Sequence, residues 1–319
     1  MTSRATHIWD SFWQEPRLGS CDPDASDYRT EIVGAWREFF GRLSPHQQVV
    51  DLCTGNGAVP LLALDYASRH GLPLELHGVD SAAIDPPQAV PARADELSGI
   101  RFHPRTSVTD MPFADDSVDA VTSQYGIEYT PLEPAVAEIA RMLRPGGIGQ
   151  FITHAAEGVT ARAGAAEVRE IDELIGSGRL FESAKCVVLQ DDATSIAGDH
   201  EAADPVAEFR AELERIADGW RERNAPHLFR ATGSLLEDTV AKRDLLPADV
   251  LLAKVDEIEQ RLLQHRGRLA ALVDAALDAE DRSQIEAMFD AHGFSQCETS
   301  ELVTEDGDYL LGYRIAIDR

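Results

Sequence analysis

No stretch of this sequence approaches the roughly eighteen consecutive apolar residues of a membrane-spanning helix, although 44% of its 319 residues are hydrophobic. The first ten residues, Met1 to Asp10, carry neither a charged leader nor an apolar core of the secretory kind, so a cytoplasmic protein is expected. Basic residues are few: 29 Lys and Arg stand against 56 Asp and Glu, for a net charge of −27. Phosphate backbones and anionic lipid surfaces are held by clusters of cations, so neither nucleic acid nor membrane is expected as a partner. Cys21, Cys53, Cys186 and Cys297 lack the spacing of metal ligands, and no metal site is expected.

What is present centres on Val49 to Pro60, V-V-D-L-C-T-G-N-G-A-V-P. Val49, Val50 and Leu52 favour a buried strand, and Thr54-Gly55-Asn56-Gly57 makes a turn with uncovered backbone N–H groups. The apolar run that follows starts a helix, placing a ligand-accessible pocket edge at the strand end. Two nucleotide-binding patterns compete for such a turn. A phosphate loop ends in Gly-Lys-Ser/Thr, which is missing. A dinucleotide fingerprint needs a third small residue at a fixed offset, whereas Gly57 is followed by Ala58-Val59-Pro60. Asp51 at the strand end suits a cation or a hydroxyl and would repel a pyrophosphate.

This stretch resembles motif I of the class I S-adenosylmethionine-dependent methyltransferases, of the ubiquinone/menaquinone-biosynthesis type, with Cys53 where that family most often has glycine. The resemblance implies a doubly wound α/β fold with a seven-stranded sheet and an antiparallel C-terminal hairpin. It also implies S-adenosyl-L-methionine as cofactor, with Asp51, Thr54, Gly55, Asn56 and Gly57 holding its methionine end. A second strand over Leu74–Val79 ends in Asp80, about twenty residues beyond Gly57, where a carboxylate meets ribose hydroxyls across the switch point of such a sheet. Asp80 with Ser81 is therefore the expected ribose site; the alternative for Asp80 is a helix N-cap. By resemblance, Asp110 and Met111 take the adenine. "F-A-D-D-S-V-D-A-V" and "R-M-L-R-P-G-G", with the helix Glu133–Leu143 ending at the latter, are further family-like phrases, as is "I-E-A-M-F-D-A-H-G-F" for a helix over Ser283–Ala291.

Gln124, Tyr125, Gly126, Ile127, Glu128 and Tyr129 follow the fourth strand, where the sheet opens on the transferable methyl group. Gln124 is assigned to the cofactor, and Tyr125, Glu128 and Tyr129 to the substrate. The Asn-Pro-Pro-Tyr type of motif for amide or exocyclic nitrogens is missing, which leaves oxygen, nitrogen and carbon acceptors open. His154, after the fifth strand, is the candidate general base because its ordinary pKa is about 6.5; otherwise it positions substrate or is a solvated loop residue. Trp9 and Trp13, spaced as on a helix, either belong to the core or close over the pocket as a substrate-binding lid.

The expected organisation is an N-terminal helical lid over 1–48, a cofactor domain over 49–155 and 282–319, and a helical insertion over 156–281. In the insertion, a stripe from Pro247 to Asp281, broken at Gly267, requires a covering surface: a cap over the substrate or a homodimerisation arm. Asp191, Asp192, Asp199, Glu201 and Asp204 flank a solvated loop. Glu305-Asp306-Gly307-Asp308, between two β-type runs, signals the terminal hairpin. A small-molecule methyltransferase is the favoured function. A binding or assembly protein with the same fold and a nicotinamide dehydrogenase are the rivals, the latter opposed by Asp51 and the missing third glycine.

Overall fold

A computed structural model describes residues 9–20, 30–176, 179–189, 204–221 and 227–319. The chain divides into two compact units, Met1–Ala163 with Ala271–Arg319, and Gly164–Ala270. The acidic loop residues Asp191, Asp192, Asp199 and Glu201 lie outside the described residues, as do parts of the N-terminal segment.

The first unit is a seven-stranded sheet in the order β3-β2-β1-β4-β5-β7-β6. Its strands are β1 (Gln48–Leu52), β2 (Glu75–Val79), β3 (Arg101–His103), β4 (Val118–Gln124), β5 (Leu143–Thr153), β6 (Gln296–Val303) and β7 (Leu310–Asp318). The first five pair in parallel, and β7 runs antiparallel to both β5 and β6. Helices α1 (Thr30–Phe40), α2 (Ala58–His70) and α3 (Leu132–Met142) belong to this unit. Strand alternation explains its two cores. Val50, Val121 and Phe151 pack with Met142 and Phe289, while their chain neighbours Val49, Ala120 and Ile152 pack with Trp36, Phe40 and Leu61 in the other cluster. The sequence therefore reads as nearly continuous apolar runs, because both strand faces are covered.

Local chemistry sets the element ends. Gly57, at φ 83°, opens α2, and Gly71, at φ 63°, closes it by donating its N–H to the Ala67 carbonyl. Pro60 falls in the first turn of α2, where its missing N–H costs no helical hydrogen bond. In the β6–β7 hairpin, Gly307 adopts φ 77°, and the Thr304 N–H donates to the Tyr309 carbonyl at 2.9 Å.

Several expected boundaries move. The Arg-Pro-Gly-Gly stretch does not cap a helix: β5 already begins at Leu143, opposite Val118, and the register slips so that Ile148 faces Ala120. Pro145 has no N–H for the ladder and Gly146 sits at φ 79°, so these residues form a bulge inside the strand. The helix expected over Ser283–Ala291 starts at Ala279, because Asp278 accepts from the Glu280 and Asp281 N–H groups while the Asp281 side chain accepts from the Asp278 N–H.

The second unit contains most of α4 (Val159–Gly176), then α5 (Arg179–Leu189), α6 (Pro205–Arg221), α7 (His227–Ala241) and most of α8 (Ala248–Ala275), with α9 (Ala279–Ala291) back in the first unit. Its core joins Ile171, Leu174, Phe181, Leu213, Leu236, Val255 and Ile258. Helix α8 runs unbroken through Gly267; a helical glycine costs about 1 kcal/mol, too little to break a helix anchored by Leu251, Val255, Ile258 and Leu262. Among the described residues no helix is long and apolar enough to cross a membrane, and no cluster of three His, Cys, Asp or Glu could hold a metal.

Candidate functional site

The loop after β1 turns sharply. Cys53 and Gly55 both adopt left-handed backbone, at φ 54° and 51°. Glycine at 55 is a steric requirement, since a Cβ there would lie 2.5 Å from the Trp13 ring. The Gly55 N–H donates to Asp80 Oδ2 and the Ala82 N–H to Asp80 Oδ1, both at 2.8 Å. One carboxylate thus ties the β1 loop to the turn after β2. Burial pushes the Asp80 carboxyl up to about 6, against the lowering effect of those two N–H bonds. Asp51, 3% exposed, accepts from the Thr122 hydroxyl at 2.7 Å, and burial pushes it up to about 7.

Beside Asp80 lies a cavity of about 200 Å³. Asp80 and Ser81 form one edge, Thr106 to Thr109 a strip of hydroxyls and backbone, and Cys53, Tyr125, Gly126 and Tyr129 the region toward β4. Trp9 and Trp13 close the remaining side. They stack on each other with ring centres 6.1 Å apart, and Trp9 meets Tyr129 edge-on at 5.6 Å. Asn56 holds this segment down, its amide donating to the carbonyls of Trp13 at 3.0 Å and Arg17 at 2.7 Å. Asp10 helps from the other side by accepting the Ala83 N–H at 2.7 Å. Asp80 is the one charged side chain on the cavity wall among the described residues.

The structure brings Trp9, Trp13, Asp80, Ser81, Tyr125 and Tyr129 to this cavity, with Gly55 directly beneath Trp13. Other expected site residues sit elsewhere. Asp110 is exposed, because its N–H donates to the Ser107 carbonyl in a turn that carries the side chain outward. Met111 is pinned to α3, its N–H donating to Glu138 at 2.7 Å, and its side chain is in the sheet core. Gln124 turns toward α1, where its Oε1 accepts the Trp36 indole N–H at 2.6 Å. Thr54 and Asp51 are buried and do not line the cavity; Asn56 and Gly57 are committed to the N-terminal segment and to the Phe102 ring.

His154 also departs from expectation. It is 1% exposed, and Glu128 Oε1 accepts from its backbone N–H at 3.0 Å and lies 2.8 Å from its Nδ1. The Tyr125 ring stacks on the imidazole at 4.2 Å and itself lines the cavity. Glu128 and His154 therefore form a buried pair behind the aromatic wall and do not line the cavity. Sequence reasoning missed Cys53, Ser20, Thr130, Pro131 and the Thr106–Thr109 strip; the dense hydroxyls immediately after β3 were the available signal.

Residues 51–151 match the family model described as a methyltransferase domain. Over 125 residues the chain is 28% identical to a ubiquinone/menaquinone biosynthesis C-methyltransferase of Geotalea daltonii, covering 36% of this chain and 50% of that protein. It is 33% identical over 110 residues to an uncharacterised methyltransferase of Synechocystis, covering 33% of this chain and 46% of that one. The chain thus spans about half the length of the curated relatives it matches. A solved S-adenosylmethionine-dependent methyltransferase of Aquifex aeolicus overlays 92% of this chain and 94% of its own with a TM-score of 0.43 at 10% identity. An overlay that loose adds nothing to the two sequence matches.

Proposed function

We propose that this chain, whose residues 51–151 match a methyltransferase domain, is a class I S-adenosylmethionine-dependent methyltransferase that transfers a methyl group to a small-molecule acceptor in the cytoplasm. The observation that carries this reading is the charge pattern of the cavity: one buried carboxylate, aromatic rings, hydroxyls and no basic side chain among the described lining residues. A cationic nucleoside suits that set, with ribose hydroxyls donating to Asp80 and a sulfonium facing aromatic rings. A nicotinamide dinucleotide suits it less, because its pyrophosphate would lie at the β1 glycine turn beside the buried Asp51, with no basic side chain among the described lining residues to hold it.

The donor set fits S-adenosyl-L-methionine. Asp80 and Ser81 would take the ribose, the Ser107–Thr109 strip the adenine, and the Gly55 turn the methionine end, with Asp51 as a nearby charge. When bound, the cofactor would supply an electrophilic methyl for the acceptor's lone pair. The chain's own part is positioning and exclusion of water. Trp9 and Trp13 shut one side, and the Glu128–His154 pair fixes the Tyr125 face of the wall. His154, buried behind Tyr125 and not lining the cavity, is not proposed as a general base.

The helical unit 164–270 is proposed as a substrate cap or a homodimerisation arm. Its exposed Leu245, at 79%, and Val250, at 50%, favour the arm, and a monomer in sedimentation would remove that option. The catalytic reading is tested by incubating the chain with metabolite extract and methyl-labelled S-adenosylmethionine. Label should appear in a small product with the wild type and not with Asp80→Ala. Binding of the nucleoside without transfer to any acceptor would favour a binding or assembly protein.

A further inference from the structure

Exposed apolar side chains are unevenly spread over this chain. Of the eight large hydrophobics exposed among the described residues, four stand on one helical hairpin. Leu235 is on α7, Leu245 and Leu246 are in the turn after it, and Val250 is in the first turn of α8, with Leu245 the most exposed at 79%. A single exposed leucine is ordinary, whereas four gathered on one hairpin mark a contact surface. The turn that displays them is held by its own backbone. Leu245 and Leu246 both donate their N–H groups to the Lys242 carbonyl, at 2.9 and 3.0 Å, and Val250 and Leu251 donate to the Pro247 carbonyl at 3.1 and 3.2 Å. Docking on a tip so fixed loses little conformational freedom.

Beside the tip, between α7 and α8, lies a notch of about 410 Å³ with Leu246 and Val250 among its apolar walls. Its rim carries two acids and two lysines, Asp238 and Lys242 from α7 and Lys254 and Glu257 from α8. They pair within each helix, Lys242 with Asp238 at 2.5 Å and Lys254 with Glu257 at 2.8 Å, and all four side chains stay at least 41% exposed. This charge pattern selects the occupant. With 56 acids against 29 bases in each chain, two copies repel over most of their surface, but the notch rim is balanced. Two of the three lysines in the sequence stand there. A two-fold contact sets a patch against itself, and a patch holding both signs can place the lysines of one copy opposite the acids of the other. An acidic partner of another kind would meet Asp238 and Glu257 along with the lysines.

We propose, resting on and deepening the arm reading of the helical unit, that the α7–α8 hairpin is a two-fold contact between copies of this chain. Leu245 of each copy enters the apolar notch of the other, and the acids and lysines of the two rims pair across the axis. The leucine supplies apolar burial at the centre, and the balanced rim removes the repulsion that opposes association elsewhere. Methyl transfer by the sheet unit does not depend on this contact.

The test is sedimentation velocity of the full chain from about 1 to about 100 µM, with circular dichroism confirming the fold of each variant, since every residue changed is exposed. The wild type should pass from monomer to dimer over this range. Leu245→Asp should weaken association by about tenfold or more. Two double variants test the rim: Lys242→Glu with Lys254→Glu makes it wholly acidic, and Asp238→Lys with Glu257→Lys makes it wholly basic. Each alone should associate about tenfold more weakly than the wild type, and an equimolar mixture of the two should recover a dimer. Dimerisation of Leu245→Asp within about twofold of the wild type, or a mixture that stays monomeric, overturns this contact and leaves the arm reading to another face of the unit. A wild type that is monomeric at about 100 µM overturns both.

Discussion

The two units of this chain differ in whether a buried carboxylate has a cation beside it. In the sheet unit, Asp51, Asp80 and Glu128 are buried, held by hydroxyl, backbone and imidazole groups rather than by Lys or Arg. In the helical unit the buried Glu212 is ion-paired to Arg215 at 2.7 Å, and acids nearer the surface pair with lysines: Lys185 with Asp256 at 2.6 Å and Glu259 at 3.3 Å, Lys254 with Glu257 at 2.8 Å. All three lysines of the sequence fall between residues 164 and 270. A buried carboxylate without a counter-ion costs folding stability and is a candidate for function, whereas an exposed pair contributes little to either. The residue type is the same; burial without a cationic partner separates the two roles.

The largest effect that would sharpen this contrast is expected at Asp80. Asp80→Ala removes two buried charge-assisted acceptors, each worth about 1.5–3 kcal/mol, and should weaken nucleoside binding by about a hundredfold or more, as read by calorimetry. Binding within about threefold of wild type would break the contrast.

Next is the pH dependence of stability in the ligand-free chain. A carboxyl whose folded-state pKa lies above its unfolded value stabilises the fold at low pH, and that contribution is lost as pH rises through the folded value. With Asp51 at about 7 and Asp80 at about 6, denaturation midpoints should fall from about pH 4, near the unfolded pKa of Asp, to about pH 7. Asp51→Asn should flatten much of that slope, and a midpoint rising over the same range would contradict the burial argument.

Gly55→Ala should act locally. A Cβ at φ 51° would enter the Trp13 ring, so the N-terminal segment should lift, with a red shift of tryptophan emission and a loss of about tenfold in nucleoside affinity. Smallest is the surface. Lys185→Ala should cost about 1 kcal/mol or less in chemical denaturation. By contrast, raising salt from about 0.1 M to about 1 M shortens the screening length from about 10 Å to about 3 Å and should raise the melting temperature of a chain with net charge −27.

What was legible in the sequence was local. Strand, glycine turn and helix follow one another between Gln48 and His70, and an acid at the end of β2 lies beside the turn after β1 because parallel neighbours end together. The Asp-Gly hairpin was equally local. Side-chain destinations set by distant partners were not legible. Gln124 is claimed by Trp36, 88 residues away in sequence, and Met111 by Glu138. His154 is withdrawn behind Tyr125 by Glu128. Asp110 was misplaced for a smaller reason, a single turn after β3 that sends Ser107 to Thr109 into the cavity and the next side chain out.

The most direct measurement is a crystal structure of the full chain with S-adenosylhomocysteine bound. The nucleoside is expected in the cavity between Trp9, Trp13 and the Thr106–Thr109 strip, with its ribose hydroxyls on the Asp80 carboxylate. A nucleoside seated at another surface, or in this cavity with its ribose turned away from Asp80, would contradict it.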